Sequence, residues 1–599
     1  ITCRDWSSDV CSSDLKISGQ IVDVVAGKIF PGEVVFEGKE KGGRKFDVKS
    51  LKVQSSKFKE NIGKIIEIRR LEKADDVLIM PGFVDAHIHI ESSMLVPSRF
   101  AEMAVVHGTV ATVSDPHEIA NVLGRDGIEY MVKDGKRVPF KFFWTAPACV
   151  PATEFETSGH KITAEQIQKM LAQSNFVGLS EVMNFPAVIR NDEETLKKIG
   201  AAKKYQKPID GHAPLLSGAD LKKYIAAGIS TDHECITAKE ALEKLKLGMK
   251  IWIREGSAAK NLDKLLPIIK DNPDKCGLCS DDLHPNDLNK GHINLLVKRL
   301  LAAEIDPILA LRMANLNIVQ HYKLPVGLLQ AGDPADFIVV NNFSDLSILQ
   351  TWIKGQLVAK DGQSLIKPQP RRIKNNFKAK FKKLGNMQIK YQVSGIKSQE
   401  NGDSTKTQDL ATSTCTVNVI EAIDGQLVTK KSSAKLAIDE RGNVLPDVAQ
   451  DILKIVVADR YGKNNIQVAF IKNFGLKTGA IAASIAHDSH NIIAVGTNDT
   501  DLVAAINEII KIRGGILVIN RKKLNNRLNL NIAGLMSTRH GRVVAKKYKR
   551  LKKNVKKMGS NLIDPFMTMS FMALPVIPEL KITDRGLFDA NQWKYINLF

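Results

Sequence analysis

Residues 81–89 read Pro81-Gly82-Phe83-Val84-Asp85-Ala86-His87-Ile88-His89, a turn followed by an apolar run that ends in two histidines. Residues two apart on a β-strand point to the same side, so His87 and His89 can face one site together. Neutral imidazole is a common ligand of first-row divalent metals. The spacing alone is weak evidence, because 13 histidines give roughly 0.3 such pairs by chance. The turn and the apolar strand before the pair favour a metal site.

The same alternation of short apolar strands and helix-length segments continues from Pro81 to about Leu324. It predicts parallel strands joined by crossover helices. Eight such units predict an α/β fold with a closed (β/α)8 barrel of the TIM type over residues 81–324, whose catalytic side chains lie at the carboxyl ends of the strands. The predicted strand ends lie near His89, Asp115, Cys149, Glu181, His212, His233, Glu255 and Asp281.

Two further histidines and two carboxylates at these ends complete a candidate metal site. One strand-end histidine is usually a satisfied core residue, but four in a single barrel, with His212 and His233 added to the first pair, indicate ligands. Glu181 lies among apolar residues, where a buried carboxylate needs a partner or a metal. For Asp281, or Asp282 beside it, capping of the following helix is the structural alternative.

The segments around the barrel have a different character. Short β-type runs before residue 80, and the run after Gly332 that ends at Val340, predict a small β-sandwich domain formed by residues 16–80 and 325–366. Residues 367–414 read as a basic linker followed by a polar loop. Mixed strand and helix patterns over residues 415–599 predict a C-terminal α+β domain.

The first fifteen residues, ITCRDWSSDVCSSDL, are interpreted separately. They have no basic start followed by an apolar core, so they are not a signal peptide. They resemble translated sequencing-adapter sequence. We therefore expect residues 1–15 to be non-native and to lie outside the fold.

Charge and cysteine content limit the partners and the compartment. The net charge is +21, but the excess is concentrated in clusters such as Lys367–Lys397 and Lys546–Lys557. Without a nucleic-acid-binding motif, these clusters favour a Lys-rich solvated surface over a nucleic-acid interface. No run of eighteen apolar residues suggests a membrane span. Seven scattered cysteines favour the reducing cytoplasm, and the single CxxC pair, Cys276 and Cys279, favours buried strand residues over a zinc site.

One polar motif lies outside the predicted barrel. His487-Asp488-Ser489-His490 follows an apolar segment in the C-terminal region. Its residue types fit three interpretations: a part of the active site, an extra metal site or a structural domain contact. The sequence does not choose between function and structure here.

Longer motifs extend the pattern and identify a family. The chain resembles the adenine deaminase family of the amidohydrolase superfamily over residues 19–599. The resemblance is carried by Met80–Met94, Thr112–Val122, Glu181–Asn184, Asp210–Pro214, Ala486–Asn491 and Asp564–Phe571.

The resemblance implies a two-metal hydrolytic site, with manganese as the expected metal and iron or zinc as alternatives. It implies that His87 and His89 hold one metal, that His212 and His233 hold the other, and that Glu181 bridges them. Asp281 would bind metal and move protons, with Asp115 and Glu181 as further proton carriers. The implied substrate is adenine, which would give hypoxanthine and ammonia, and the implied assembly is a homo-oligomer. The damaged start, the polar insertion near 398–414 and the basic charge depart from the family, but none touches the barrel motifs.

Two alternatives remain open from the sequence. The first is another amidohydrolase chemistry, such as cyclic-amide hydrolysis or deamination of a different purine or pyrimidine. Glu181 argues against the classical cyclic amidases, in which a lysine is expected at this position. The second is a non-catalytic basic binding protein, which would have no use for six metal-type ligands at strand ends.

Overall fold

The computed structural model describes residues 12–39, 63–368, 374–391 and 413–599. The expectations for residues 1–11 and for most of the polar loop Ser398–Thr414 therefore fall outside the described residues.

The chain begins, within these limits, with four strands of a curved sheet: β1 (Ser12–Asp23), β2 (Lys28–Lys39), β3 (Ile65–Arg70) and β4 (Leu78–Pro81). The hairpin of β1 and β2 pairs from Ser12 opposite Lys39. The expectation that all of residues 1–15 lie outside the fold is therefore wrong for residues 12–15. Strand pairing uses the backbone, so an unrelated sequence can continue a hairpin, and Leu15 is buried in the core of this sheet.

Eight parallel strands follow and form the TIM-like barrel. Five pair in the order β5-β6-β7-β8-β9 and three in the order β10-β11-β12. Two backbone hydrogen bonds join these sets of strands into a ring. Ser230 N donates to Ile209 O at 2.9 Å and links β9 to β10, and Asp281 N donates to His87 O at 2.9 Å and links the end of β12 to β5. The strands are β5 (Phe83–Ile88), β6 (Thr109–Ser114), β7 (Lys141–Ala146), β8 (Phe176–Val182), β9 (Ile209–Gly211), β10 (Thr231–Asp232), β11 (Lys250–Arg254) and β12 (Cys276–Cys279).

Helices cover the outside of the barrel, so its strands are buried on both faces. Several begin at N-cap residues, among them Thr163, Asp192 and Asp306, whose side chains accept from backbone N–H groups. The helices are α1 (Pro97–Ala104), α2 (His117–Leu123), α3 (Arg125–Gly135), α4 (Ala164–Leu171), α5 (Phe185–Ile189), α6 (Glu193–Lys204), α7 (Gly218–Ala226), α8 (Ala238–Lys246), α9 (Leu262–Ile269), α10 (Pro285–Leu288), α11 (Ile293–Ala302), α12 (Pro307–Ala314) and α13 (Leu316–Tyr322).

After the barrel the chain returns to the first sheet. The returning strands are β13 (Phe337–Val340), β14 (Ile348–Ile353), β15 (Gln356–Lys360) and β16 (Gln363–Ser364). Phe337 pairs with Pro81, so β13 lies antiparallel to β4. The strands form one curved hydrogen-bonded sheet, rather than two separate layers, and it closes where Gln356 pairs with Lys39.

A single glycine joins this sheet to the barrel. Gly82 lies between β4 and β5, and a Cβ atom there would lie 2.3 Å from Cγ1 of Val110. Only glycine allows the strand to pass so close to the neighbouring strand. The Pro-Gly pair of the sequence motif therefore places His87 and His89 at the carboxyl end of the first barrel strand.

The C-terminal region contains a second large sheet with the order β18-β17-β20-β19-β22-β21-β23-β24. Helix α14 packs on β21, β22 and β23. The remaining elements are β17 (Thr414–Ala422), β18 (Thr429–Ala437), β19 (Ile452–Ala458), β20 (Ile466–Lys472), β21 (Ala480–Ala483), β22 (Ile492–Gly496), α14 (Asp499–Ile512), β23 (Gly515–Asn520), β24 (Lys523–Asn529), α15 (Gly541–Lys557), α16 (Pro565–Phe571), β25 (Leu580–Ile582), β26 (Leu587–Asp589) and β27 (Lys594–Ile596).

The basic cluster Lys546–Lys557 is the outer face of α15. The opposite face of this helix is buried through Val544, Tyr548 and Leu551, as expected for an amphipathic helix on a protein surface. Cys276 and Cys279 lie buried in β12 as free thiols, which confirms their interpretation as strand residues. Within the described ranges, every helix is too short or too polar to cross a lipid bilayer.

Candidate active site

Glu181 lies between two pairs of histidines at the carboxyl end of the barrel. Its Oε1 atom is 3.2 Å from His89 Nε2 and 4.0 Å from His87 Nε2. Its Oε2 atom is 2.5 Å from His212 Nδ1 and 3.1 Å from His233 Nε2. The two oxygens of one carboxylate thus face two different imidazole pairs, which is the arrangement that a carboxylate bridging two cations requires.

Asp281, two residues after the end of β12, lies beside the first histidine pair. Its Oδ1 atom is 3.2 Å from His89 Nε2 and 3.6 Å from His87 Nε2. Its Oδ2 atom accepts a hydrogen bond from Arg254 Nη1 at 2.8 Å. The guanidinium of Arg254 also contacts Glu234, with Nη2 donating to Oε2 at 2.9 Å. One buried arginine therefore orients two carboxylates of the site.

Electrostatics keep the two central carboxylates ionised. Burial alone would raise the pKa of Glu181, but His212 and the other imidazoles outweigh it and hold this pKa well below the usual range. Burial likewise opposes ionisation of Asp281, and the Arg254 guanidinium outweighs it and lowers the pKa of this carboxyl. Opposite charges at short range favour the charged form in this way. Both groups can therefore act as anionic ligands.

The residues behind the histidines fix their orientation. His89 Nδ1 lies 3.2 Å from the backbone oxygen of Asp115, which favours the tautomer with Nε2 free to bind. Asp85, earlier on β5, accepts from Ser280 N at 3.1 Å and lies 2.9 Å from His292 Nε2. The hydrogen bond from Ser280 to Asp85 joins β5 to the end of β12. It anchors the strand that leads to His87 and His89 to the strand that precedes Asp281.

A second polar cluster lies beside the first and includes the C-terminal motif. His487 Nδ1 is 2.7 Å from Glu118 Oε1, and His490 Nε2 contacts the other oxygen of Glu118. His117 lies between the clusters: its Nδ1 atom is 2.7 Å from Asp115 Oδ2, and its Nε2 atom is 3.6 Å from Asp488 Oδ1. The C-terminal region therefore contributes directly to the walls of the site.

Both clusters open into one cavity at the barrel mouth. Barrel residues and C-terminal residues line it together, and its apolar side comes from Met183, Leu427, Phe571 and Leu574. The ring of Phe571 stacks on that of His487, with ring centroids 4.3 Å apart.

The structure brings together all seven residues that the sequence singled out for the site: Asp115, Glu181, Asp281, His87, His89, His212 and His233. The other two predicted strand ends have different surroundings. Glu255 accepts from Leu262 N at 3.0 Å and pairs with Arg299, so it stabilises the start of α9. Cys149 is a buried free thiol just beyond β7.

Sequence reasoning missed four polar residues of the site: His117, Glu118, Glu234 and Arg254. The sequence did contain signals for these residues. His117 and Glu118 stand two and three positions after Asp115, and Glu234 follows His233 directly. Arg254 stands one residue before the predicted strand end Glu255. The side to which a strand-end residue points depends on the barrel register, which one strand does not reveal.

The donor set fits divalent metals. Four imidazoles and two ionised carboxylates converge, and these are ligand types that zinc, iron and manganese accept. Among the described residues, the buried Nε2 atom of His233, which faces Glu181, has no hydrogen-bond partner. Buried polar atoms are rarely left unpaired, so this nitrogen indicates a missing ligand or water.

Comparison with known proteins agrees with this geometry. The model of the amidohydrolase family matches residues 78–358, and that of the adenine deaminase C-terminal domain matches residues 426–594. The adenine deaminase of Methanosarcina barkeri is 48% identical over 548 residues, which cover 91% of this chain and 97% of that protein. The adenine deaminase of Methanosarcina mazei is 45% identical over 585 residues, 98% and 99% of the two chains. That of Sulfurovum sp. is 48% identical over 553 residues, 92% and 98%. The chain described here belongs to the adenine deaminase family.

Proposed function

We propose that this enzyme hydrolyses adenine to hypoxanthine and ammonia in the cavity at the barrel mouth. The observation that carries the proposal is Glu181 placed between two histidine pairs, in a chain whose relatives named adenine deaminase match it over nearly its whole length. The alternative of cyclic-amide hydrolysis is not favoured, because the relatives compared above are all named adenine deaminase and none is named as a cyclic amidase.

The metal ligands are assigned from the contacts. His87, His89 and Asp281 would hold one divalent metal, and His212 with His233 would hold the other, with Glu181 between them. We propose manganese as the working metal, with iron or zinc able to take its place. When bound, such metals lower the pKa of water so that hydroxide is available near neutral pH.

The protein side chains position the substrate and move protons. Deamination needs a proton delivered to the purine ring and another to the leaving amine. Asp281 is the best placed carrier, because Arg254 holds one of its oxygens and leaves the other facing the histidine pair. Asp115, paired with His117, and Glu181 are the remaining carriers in the proposal.

The lining of the cavity has the chemistry that a flat base needs. Met183, Leu427 and Leu574 give it an apolar side, and imidazoles and carboxylates give it a polar side. A planar heterocycle with hydrogen-bonding edges needs this combination. We propose the free base rather than the nucleoside as substrate, because the relatives are named for adenine.

Ammonia release from a panel of purines tests the assignment. Manganese-loaded protein is expected to release ammonia from adenine and to leave adenosine essentially untouched. A preference for adenosine, or hydrolysis of a cyclic amide such as dihydroorotate with no action on adenine, would overturn the proposal.

The wider organisation is proposed on the same basis. We propose three domains: the small β domain, the barrel and a C-terminal α+β domain. We further propose a homo-oligomer in the cytoplasm, with no nucleic-acid or membrane partner. The buried free thiols Cys149, Cys235, Cys276, Cys279 and Cys415 support a reducing compartment. Light scattering in solution tests the oligomeric state.

A further inference from the structure

The cluster beside the proposed two-metal site has its own set of metal-type ligands. His117 and Glu118 come from the start of α2, and Asp488 and His490 come from the segment between β21 and β22. All four side chains are buried. Ligand atoms of His117, Glu118 and Asp488 lie within 4.8 Å of one another, close enough to share one cation.

The hydrogen bonds within the cluster do not satisfy these groups. In the described part of the chain, His117 Nε2 and Asp488 Oδ2 are buried and have no hydrogen-bond partner. Glu118 Oε2 and His490 Nε2 touch, yet this contact lacks hydrogen-bond geometry. A buried polar group that is left without a partner destabilises the folded state. A ligand shared by His117, Glu118 and Asp488 would satisfy these groups, and His490 joins them through its contact with Glu118.

The orientation of His117 points to a cation as that ligand. Its Nδ1 atom lies 2.7 Å from Asp115 Oδ2, so the ring donates on this side and turns the lone pair of Nε2 toward Glu118 and Asp488. Histidines that bind metals almost always donate their other N–H to a carboxylate or carbonyl in this way. Two buried carboxylates at the same place also need positive charge.

We propose that His117, Glu118, Asp488 and His490 form a third divalent-cation site, separate from the two-metal site and fastening the segment 487–490 to the barrel. Only one imidazole ring lies between the two sites, since His117 Nδ1 is 3.5 Å from Glu181 Oε1. The ligand types, two imidazoles and two carboxylates, suit manganese, iron or zinc.

Metal counting on full-length protein tests this site without relying on activity. The chelated protein is loaded with Mn²⁺ alone, desalted and analysed by elemental mass spectrometry. The wild type is expected to hold about three metals per chain, and Asp488→Ala and His490→Ala about two each. Ser489→Ala is the matched control, because Ser489 stands between Asp488 and His490 and is not one of the four proposed ligands. It is expected to hold about three.

Glu181→Gln separates this site from the proposed catalytic one. It is expected to lose the two barrel metals and to keep about one. A wild-type content of about two, no loss in Asp488→Ala and His490→Ala, or complete loss of metal in either variant would overturn the third site. Loss of all metal in Glu181→Gln would also overturn its independence, whereas a failure of adenine turnover alone would overturn only the proposed function.

Discussion

Arg254 donates to Asp281 Oδ2 at 2.8 Å, while Asp281 Oδ1 lies 3.2 Å from His89 Nε2. The arginine therefore determines which carboxylate oxygen reaches the reacting centre. Arg254→Met should lower kcat for adenine by about 10- to 100-fold, as is typical when a residue that orients a metal ligand is removed. Arg254→Lys should recover part of the loss, because it restores the charge but not both contacts.

A matched control for this change is Arg299→Met. Arg299 also joins two carboxylates, Glu255 and Asp263, but it does so away from the cavity and is partly exposed. We expect steady-state kinetics of Arg299→Met to match the wild type within a factor of about two. Equal losses in the two variants would show that Arg254 acts on overall stability alone.

Glu181→Gln keeps the shape of the side chain that we propose as the bridge between two metals, and it removes the charge. We expect loss of the barrel metals and a fall in adenine turnover by orders of magnitude, because four imidazoles lose their shared anionic partner. Glu181→Lys should not restore activity. Glu255→Gln serves as the control, since Glu255 is a buried strand-end carboxylate outside the cluster. Normal loading of two barrel metals in Glu181→Gln would contradict the bridging role.

Activity should depend on divalent metal. Chelation is expected to abolish ammonia release from adenine, and added manganese is expected to restore it, because bound metal makes hydroxide available near neutral pH. The measurement is ammonia release before chelation, after chelation and after reloading, with circular dichroism to confirm that the fold persists. Full activity in protein shown to be metal-free would refute the mechanism.

Leu15→Ala should lower the free energy of unfolding by about 2 kcal/mol. This is near the lower end of the range for replacing a buried leucine by alanine, because Leu15 lies close to the start of a strand. Leu15 is 3% exposed and pairs with Phe36. Chemical denaturation measures the change, with Val25→Ala, at an exposed turn position, as the control. Deletion of residues 1–15 should also lower stability, since it removes the first four residues of β1. An unchanged midpoint in both variants would show that residues 12–15 do not pack.

His321 should make the protein less stable in acid. Burial, with Lys250 nearby, lowers the pKa of His321 from 6.5 to about 3. The folded state therefore binds fewer protons than the unfolded state between these pH values. The stability that neutral His321 gives to the folded state is fully present above pH 6.5. It is lost as the pH falls toward 3, by at most about 1.4 kcal/mol per pH unit. Denaturation of wild type and His321→Gln between pH 7 and 4 should show the steeper loss in the wild type, and parallel curves would refute the shift.

The barrel and the convergence of its strand-end histidines and carboxylates could be predicted from sequence because they depend on local patterns. An apolar run of four to seven residues ending in a polar residue marks a barrel strand, and the HxH spacing places both rings on one side. The predicted ends at Asp115, Glu181 and Asp281 lie within two residues of the observed ends of β6, β8 and β12.

The second cluster could not be predicted in the same way, because it depends on contacts between distant parts of the chain. Glu118 meets His487 and His490 only when the C-terminal sheet packs over the barrel mouth. Local periodicity carries no information about that packing. Arg254 was missed for a different reason: an arginine at a strand end is read as exposed unless its two carboxylate partners are known.

The pairing of β4 with β13 has a consequence for synthesis on the ribosome. Strand β4 pairs with β1 on one side, but Pro81 meets Phe337 on the other, so about 250 residues must be made before β4 has its second partner. At typical translation rates this takes roughly 10 to 50 s. During that interval β1, β2, β3 and β4 have an unpaired edge, which is a template for association with other chains. The nascent protein is therefore most vulnerable to aggregation while its barrel is being made, and the pairing of β13 with β4 is the event that covers the edge.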